Sequence, residues 1–182
     1  RYAVMGNPVA HSKSPRIHAL FAHQFKHHIE YTAIQVDEGG FAQAVEQFRA
    51  NGGAGLNVTV PFKQEAFRLA GQLSERAKIA QAVNTLRFEP DGRLFGDNTD
   101  GTGLVHDLDK NLGVQLKDKR ILLLGAGGAV RGVLAPLLKH HPALIVIANR
   151  TLSKAKDLAG EFAHFGKVEA SGFKELKGKH FD

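Results

Sequence analysis

Lys63 and Asp100 are the two side chains whose types and settings best suit proton chemistry at an alcohol or ketone. Lys63 comes just after Pro61-Phe62, behind an apolar run at 56–60 that reads as a strand. Ligands of open α/β sheets sit beyond the C-terminal ends of strands, so a lysine there can hold a substrate hydroxyl or pass it a proton. Asp100 ends the run Asp97-Asn98-Thr99-Asp100 and enters a helical segment. Its structural explanation is a first-turn carboxylate favoured by the helix dipole, with Asp97 or Thr99 as the cap. Its chemical explanation is a carboxylate paired with Lys63 across a cleft, held ionised and orienting a substrate hydroxyl. Asn57 and Thr59, two apart, share a strand face opposite Val58 and Val60, where polar groups need a neighbour or a ligand. Asn84 opens a further strand. Ser14 precedes Pro15 and reads as a helix N-cap with proline at N1, whereas Ser12 has no such explanation. Two hydroxyls two apart in an extended loop can point the same way and hold a small anion or polyol.

A second constellation is built for a dinucleotide. An apolar strand at 119–124 runs into Gly125-Ala126-Gly127-Gly128-Ala129, then a helix, then another apolar strand at 144–148. Val130 stands where a G-x-G-x-x-G fingerprint has its last glycine, so this is a variant of that loop. Gly125 suits the tight turn, and Gly127 or Gly128 lets the backbone approach a phosphate oxygen. The new helix adds unpaired N–H groups and a positive end. At the end of the second strand an NAD site offers a carboxylate to the ribose 2′-hydroxyl. Here the strand ends in Asn149-Arg150-Thr151, with Lys154 one helical turn on. Arg150 can donate to a 2′-phosphate, Thr151 can add a hydroxyl while capping the next helix, and Lys154 can face the same anion. NADP is the cofactor these residues favour.

Composition narrows the alternatives. Of 182 residues, 43% are apolar and 23% charged, an ordinary globular balance. Zero cysteines exclude a disulfide, a thiolate nucleophile and a cysteine zinc site, and fit a reducing, cytoplasmic setting. The 10 histidines lack metal-binding spacing, so no metal is expected. No stretch is long and apolar enough for a membrane helix, and no signal peptide is visible. The net charge of +6 is not gathered into a long basic run with interleaved aromatics. Lysines scattered over a solvated face explain it first, and an anionic small molecule is as good a partner as nucleic acid.

The elements that must position these groups alternate. Strands are predicted at 2–6, 29–36 and 56–60, with a hairpin of 84–88 and 93–95 across Pro90-Asp91-Gly92. Helices are predicted from Ser14, from Phe41 to the Asn51-Gly52-Gly53 stop, at 65–69 and at 74–82. A helix at 99–112 leads into the strand–loop–helix pattern, and 167–170 starts another strand. The fold class is α/β, an N-terminal mixed-sheet substrate domain followed by a partial Rossmann-like NADP-binding domain. The organisation is 1–100 for substrate binding and catalysis, 101–113 as a linking helix, and 114–182 for the incomplete cofactor domain. A whole dinucleotide domain needs a larger sheet, so further C-terminal sequence is expected.

The chain resembles the shikimate dehydrogenases of the bacterial shikimate pathway. The resemblance rests on Gly6-Asn7-Pro8 with His11-Ser12-Lys13-Ser14-Pro15, Asn57-Val58-Thr59-Val60-Pro61-Phe62-Lys63, and Ala82-Val83-Asn84-Thr85. It continues through Gly96-Asp97-Asn98-Thr99-Asp100-Gly101, the loop Gly125 to Ala129, and Asn149-Arg150-Thr151. It implies reversible reduction of 3-dehydroshikimate to shikimate by NADPH, in aromatic amino acid biosynthesis, by a monomer or homodimer. It makes Lys63 and Asp100 the catalytic pair and Ser12 and Ser14 the carboxylate-binding serines. It assigns Asn57, Thr59 and Asn84 to the ring substituents or carboxylate. The loop Gly125-Ala126-Gly127-Gly128-Ala129 would bind pyrophosphate, and Asn149, Arg150, Thr151 and Lys154 the 2′-phosphate. Lysine stands at 154 where the family often has arginine, which keeps the charge but loses the planar fork and softens the NADP preference. Two other readings compete: a quinate/shikimate dehydrogenase using NAD, which Asn149-Arg150 argues against, and a non-catalytic NADP- or polyol-binding module, which retention of Lys63 and Asp100 argues against.

Overall fold

In β1 (Tyr2–Gly6) Ala3 and Met5 face one way, Tyr2 and Val4 the other, and this alternation sets the first sheet. The computed structural model describes residues 1–182 and divides them into two units, Arg1–Asn98 and Thr99–Asp182. The chain of the first unit runs β1, α1 (Ser14–Gln24), β2 (Tyr31–Gln35), α2 (Phe41–Ala50), β3 (Gly55–Val58) and α3 (Lys63–Leu69). It continues through β4 (Gln72–Leu73), α4 (Glu75–Ala80), β5 (Thr85–Phe88) and β6 (Leu94–Asp97). The six strands lie in the order β2-β1-β3-β5-β6-β4. β1 pairs parallel with β2 and β3, while β3–β5 and β5–β6 are antiparallel, which makes the sheet mixed, as expected from the hairpin.

One face of this sheet carries the core. Ala3, Met5, Leu56, Val58 and Leu86 pack with Phe41, Val45, Phe62 and Ala66 from α2 and α3, and with Ala77 from α4. The Phe41 and Phe62 rings stack with centroids 5.0 Å apart. Phe62 is thereby buried immediately before Lys63. The opposite face carries the polar residues. Register places Tyr2 beside Tyr31 and Gly55, and Asn57 beside Val4 and Thr85.

The second unit begins with α5 (Asp100–His106) and reaches β7 (Arg120–Leu124), α6 (Gly128–Leu138), β8 (Leu144–Ala148), α7 (Leu152–Phe162) and β9 (Val168–Ser171). Its strands are parallel in the order β7-β8-β9, a Rossmann-like βαβαβ arrangement. All of β8 is buried, as a two-sided parallel strand requires. Arg131 of α6 donates two 2.6 Å bonds to Glu161 of α7, fastening the two helices together.

Several boundaries differ from the sequence expectations. β3 ends at Val58, so Thr59 follows the strand rather than lying in it. α5 stops at His106 and the chain continues as a π-helical turn, Asp107–Asn111, instead of one helix over 99–112. α5 also falls in the second unit, not between units. The two-residue β4 carries too few residues for any period to reveal it in the sequence. No helix is long and apolar enough to cross a membrane.

Candidate functional site

In the first unit the polar face converges on Asn57. The Tyr31 hydroxyl donates a 2.6 Å hydrogen bond to Asn57 Oδ1. Asn57 Nδ2 donates to Thr85 Oγ1 at 3.3 Å and to the Asn84 carbonyl at 3.4 Å. Thr85 Oγ1 in turn donates to Asn84 Oδ1 at 2.9 Å. Ser14 is bonded to the Tyr31 hydroxyl, and burial pushes that phenol up to about 12 against the lowering effect of this bond. The His18 ring lies flat on the Tyr31 ring, centroids 4.3 Å apart and 8° between planes. Burial lowers the pKa of this imidazole, and its bond with Asn57 works the other way. One connected network thus joins Ser14, Asn57 and Asn84, three of the residues expected from sequence to bind substrate. Tyr31, His18 and Thr85 complete it, and sequence reasoning misses all three. The register that sets Tyr31 and Thr85 beside Asn57's neighbourhood comes from strand pairing, which no local pattern reports.

The two serines exchange the roles expected of them. Lys13 holds the N-cap position of α1 with no side-chain bond, and Ser14 is already helical. It is Ser12 Oγ that accepts the Ser14 N–H, at 3.3 Å. Lys13 has helical φ and ψ, so the serines are not two steps along an extended loop. Ser12 supports the start of the helix, and Ser14's hydroxyl is turned to Tyr31 instead of a cap.

Thr59 and Lys63 are set by backbone. Thr59 N–H bonds the Met5 carbonyl at 2.9 Å, and the Thr59 carbonyl accepts the Phe62 N–H at 3.0 Å. The Thr59 methyl fills the space a side chain at Gly6 would need: a Cβ there would overlap it and stand 3.1 Å from the Val60 carbonyl. Lys63 is the first residue of α3, and its carbonyl accepts the Val83 N–H at 2.8 Å, next to Asn84. Asn84 N–H bonds the Asp97 carbonyl at 3.0 Å.

Asp97 is not a helix cap. Its Oδ1 accepts from Ser74 Oγ at 2.5 Å, Arg76 Nε at 2.7 Å and the Asn98 N–H at 2.7 Å, and Arg76 Nη2 bonds the other oxygen. The Arg76 guanidinium and these donors hold its carboxyl at about 2. Asn98 is buried and donates to the Ala82 carbonyl at 3.0 Å. Thr99 occupies the N-cap position of α5 without a side-chain cap bond, and Asp100 is in the first turn.

In the second unit Gly125 has φ +108, the left-handed turn for which glycine is needed. A Cβ at Gly127 would meet nothing within 4 Å. Packing therefore does not demand glycine there, and the open space suits a phosphate against the backbone. The first intrahelical acceptor of α6, the Gly127 carbonyl, takes the Arg131 N–H, leaving the preceding N–H groups directed out of the helix end. A dinucleotide pyrophosphate fits this cradle. Beyond β8, Arg150, Thr151 and Lys154 are exposed. Asn149 Nδ2 donates to the Thr151 carbonyl at 2.8 Å, which fixes the turn. Thr151 is at the N-cap of α7, but its side chain makes no cap bond. Its hydroxyl is not committed to capping, contrary to the sequence expectation.

Comparison with known proteins gives one consistent result. A family model described as the shikimate dehydrogenase substrate binding domain matches residues 4–86, and one described as shikimate / quinate 5-dehydrogenase matches residues 107–179. The NADP(+) shikimate dehydrogenase of Cellvibrio japonicus is 59% identical over 181 residues, covering 100% of this chain and 65% of that protein. The crystal structure of an Ael1 enzyme from Pseudomonas putida superimposes with a TM-score of 0.87 at 49% identity, over 100% of this chain and 66% of that one. That of a shikimate 5-dehydrogenase from Thermus thermophilus in complex with shikimate gives 0.83 at 35% identity, over 94% and 62%. The chain spans about two thirds of the length of the curated relatives it matches, 65% in the first case.

Proposed function

The chain belongs to the shikimate dehydrogenase family, and from that premise we propose that it serves the reversible, NADPH-dependent reduction of 3-dehydroshikimate to shikimate, in the cytoplasm, as part of aromatic amino acid biosynthesis. The observation that carries the reading is the network of Ser14, Tyr31, Asn57, Thr85 and Asn84 on the polar sheet face. It offers hydroxyl and amide groups at close quarters, which is what a ring with several hydroxyls and a carboxylate needs.

In this mechanism Ser14 and Ser12 receive the substrate carboxylate, and Asn57, Thr59 and Asn84 hold the ring hydroxyls. Lys63 donates a proton to the oxygen of the carbonyl as it becomes an alkoxide, and takes it back in the reverse direction. Asp100 accepts a hydrogen bond from the reacting hydroxyl and so orients it. The N–H groups at the start of α6, with the Gly125 to Ala129 backbone, hold the pyrophosphate. Arg150, Lys154, Thr151 and Asn149 hold the 2′-phosphate, Arg150 through its planar fork. When bound, the nicotinamide supplies or accepts the hydride. The balance is ketone plus hydride plus the Lys63 proton, giving the alcohol.

The test is shikimate oxidation with NADP and, separately, NAD. Lys63→Ala is expected to lower kcat by about 10²–10⁴-fold while the far-ultraviolet circular dichroism stays as in wild type. Comparable turnover by that variant removes Lys63 from proton transfer. Wild-type turnover that prefers quinate and NAD replaces the proposal with the quinate reading.

A further inference from the structure

We propose that Tyr31 is a positioning residue of the substrate site, its hydroxyl fixing which edge of the Asn57 amide faces the ligand and tying Ser14 to the same point. The inference rests on the reading of the polar face as the shikimate site.

The two edges of an asparagine amide are opposites: Oδ1 accepts and Nδ2 donates. Shape alone hardly distinguishes them, so the surrounding partners decide which edge faces which way. The Asn84 carbonyl can only accept, so the edge facing it at 3.4 Å must be Nδ2. Oδ1 then faces Tyr31, whose O–H donates at 2.6 Å. The bonds from Nδ2, at 3.3 and 3.4 Å, are long, while the phenol bond is short. The short bond from Tyr31 is therefore the main anchor of the amide oxygen, with His18 bonded to the same side chain, and Nδ2 is the edge with slack to turn to an incoming oxygen. A flipped amide would present Oδ1 to a carboxylate or hydroxyl oxygen, acceptor against acceptor.

The same phenol oxygen is bonded to Ser14. With its own hydrogen given to Asn57, the phenol oxygen accepts the Ser14 hydrogen and holds it until a ligand carboxylate draws it away, while fixing the orientation of the Asn57 amide. The ring beneath is itself held. His18 stacks on it nearly parallel, and β2 pairs Tyr31 with Tyr2 of β1 in fixed register. None of this requires Tyr31 to touch the substrate.

Tyr31→Phe keeps the ring and its stack on His18 and removes only the oxygen. In shikimate oxidation it is expected to raise KM for shikimate about three- to tenfold, with kcat changed less than about twofold and KM for NADP unchanged. Calorimetric titration with shikimate alone should show the same loss of affinity without turnover. Tyr31→Leu, which also removes the stack, should fall further, and Tyr31→Phe should recover part of that difference. The Asn57 side-chain NH2 signals, located by their absence in Asn57→Asp, should shift in Tyr31→Phe before any ligand is added. Unchanged signals, unchanged shikimate affinity in Tyr31→Phe, or an equal fall in kcat and rise in both KM values, as a folding defect gives, would each overturn the positioning role. A wild-type chain that neither binds nor oxidises shikimate sinks the substrate reading, and the positioning role with it. A wild type that binds shikimate no better than Tyr31→Phe sinks the positioning role alone.

Discussion

Position 6 is glycine because of a methyl group on another residue. The Thr59 side chain has two branches, and its methyl lies where a Gly6 Cβ would stand, which fixes the direction of the hydroxyl on the other branch. Gly6→Ala must push Thr59 aside or press on the Val60 carbonyl. Thr59 is β-branched and stiff, so it has no easy alternative. The variant is expected to lose about 1–3 kcal/mol of stability to overpacking, read by urea unfolding. If Thr59 holds a ring hydroxyl, KM for shikimate should rise more than KM for NADP in the same variant. A variant with wild-type stability and wild-type KM values would show that Thr59 accommodates the methyl at no cost. At this scale the sequence is legible in part. Alternation on β3 identifies Asn57 as a polar residue facing away from Val58, and it does face Tyr31 and Thr85. It cannot identify Tyr31, because a strand residue's partner across the sheet depends on register, and register is set by the whole sheet.

Elements hold their ends by polar clamps that propensity does not forecast. Asp97, the last residue of β6, looks in sequence like the cap of α5. In the structure it bonds back to Ser74 and Arg76 at the start of α4. Ser74 serves twice, as N-cap accepting the Ala77 N–H at 3.1 Å and as donor to Asp97. A cap assignment from sequence sees only the neighbours along the chain, and here a carboxylate and a guanidinium brought together by β6 and α4 win over the local option. The same reasoning explains Ser12 and Ser14, where the cap preference is right in kind and wrong in residue. The clamp carries a pH signature. The Asp97 carboxyl is held at about 2, below its unfolded value, chiefly by Arg76. Its contribution is full above the unfolded carboxylate's pKa, about 3.9, and is lost as pH falls through about 2. Asp97→Asn should therefore cost about 1–2 kcal/mol near neutral pH, and the gap from wild type in urea unfolding should close as pH drops through that window. A gap that is constant with pH would mean that the carboxylate's charge is not what the clamp uses. Arg76 is well exposed, so high salt should narrow the gap as well.

The chain leaves apolar side chains of α1 and of the residue that ends it uncovered: Leu20 is 61% exposed, Phe21 54% and Phe25 65%. Large apolar side chains exposed this close together in the chain favour association. Concentrated solutions of the 182-residue chain are expected to self-associate, and Phe21→Ser with Phe25→Ser should shift sedimentation toward the monomer. Sedimentation that is monomeric and equal for both chains would show that the patch is inert. That the chain forms two units is legible from its two runs of alternating strands and helices, one before and one after Asn98-Thr99. How closely α5 and α6 approach is not legible there. A side chain at Gly101 would overlap the Gly132 carbonyl and stand 2.5 Å from Pro136 Cγ, so the α5 backbone lies directly on the α6 backbone and the Pro136 ring there. Asp100 is the neighbour of Gly101 on α5, and α6 starts from the glycine loop. Because the two helices touch there through backbone and the stiff Pro136 ring, with no side chain at position 101 to give way, the acid and the loop behave like two marks on one ruler: whatever grips the loop also calibrates where the acid stands.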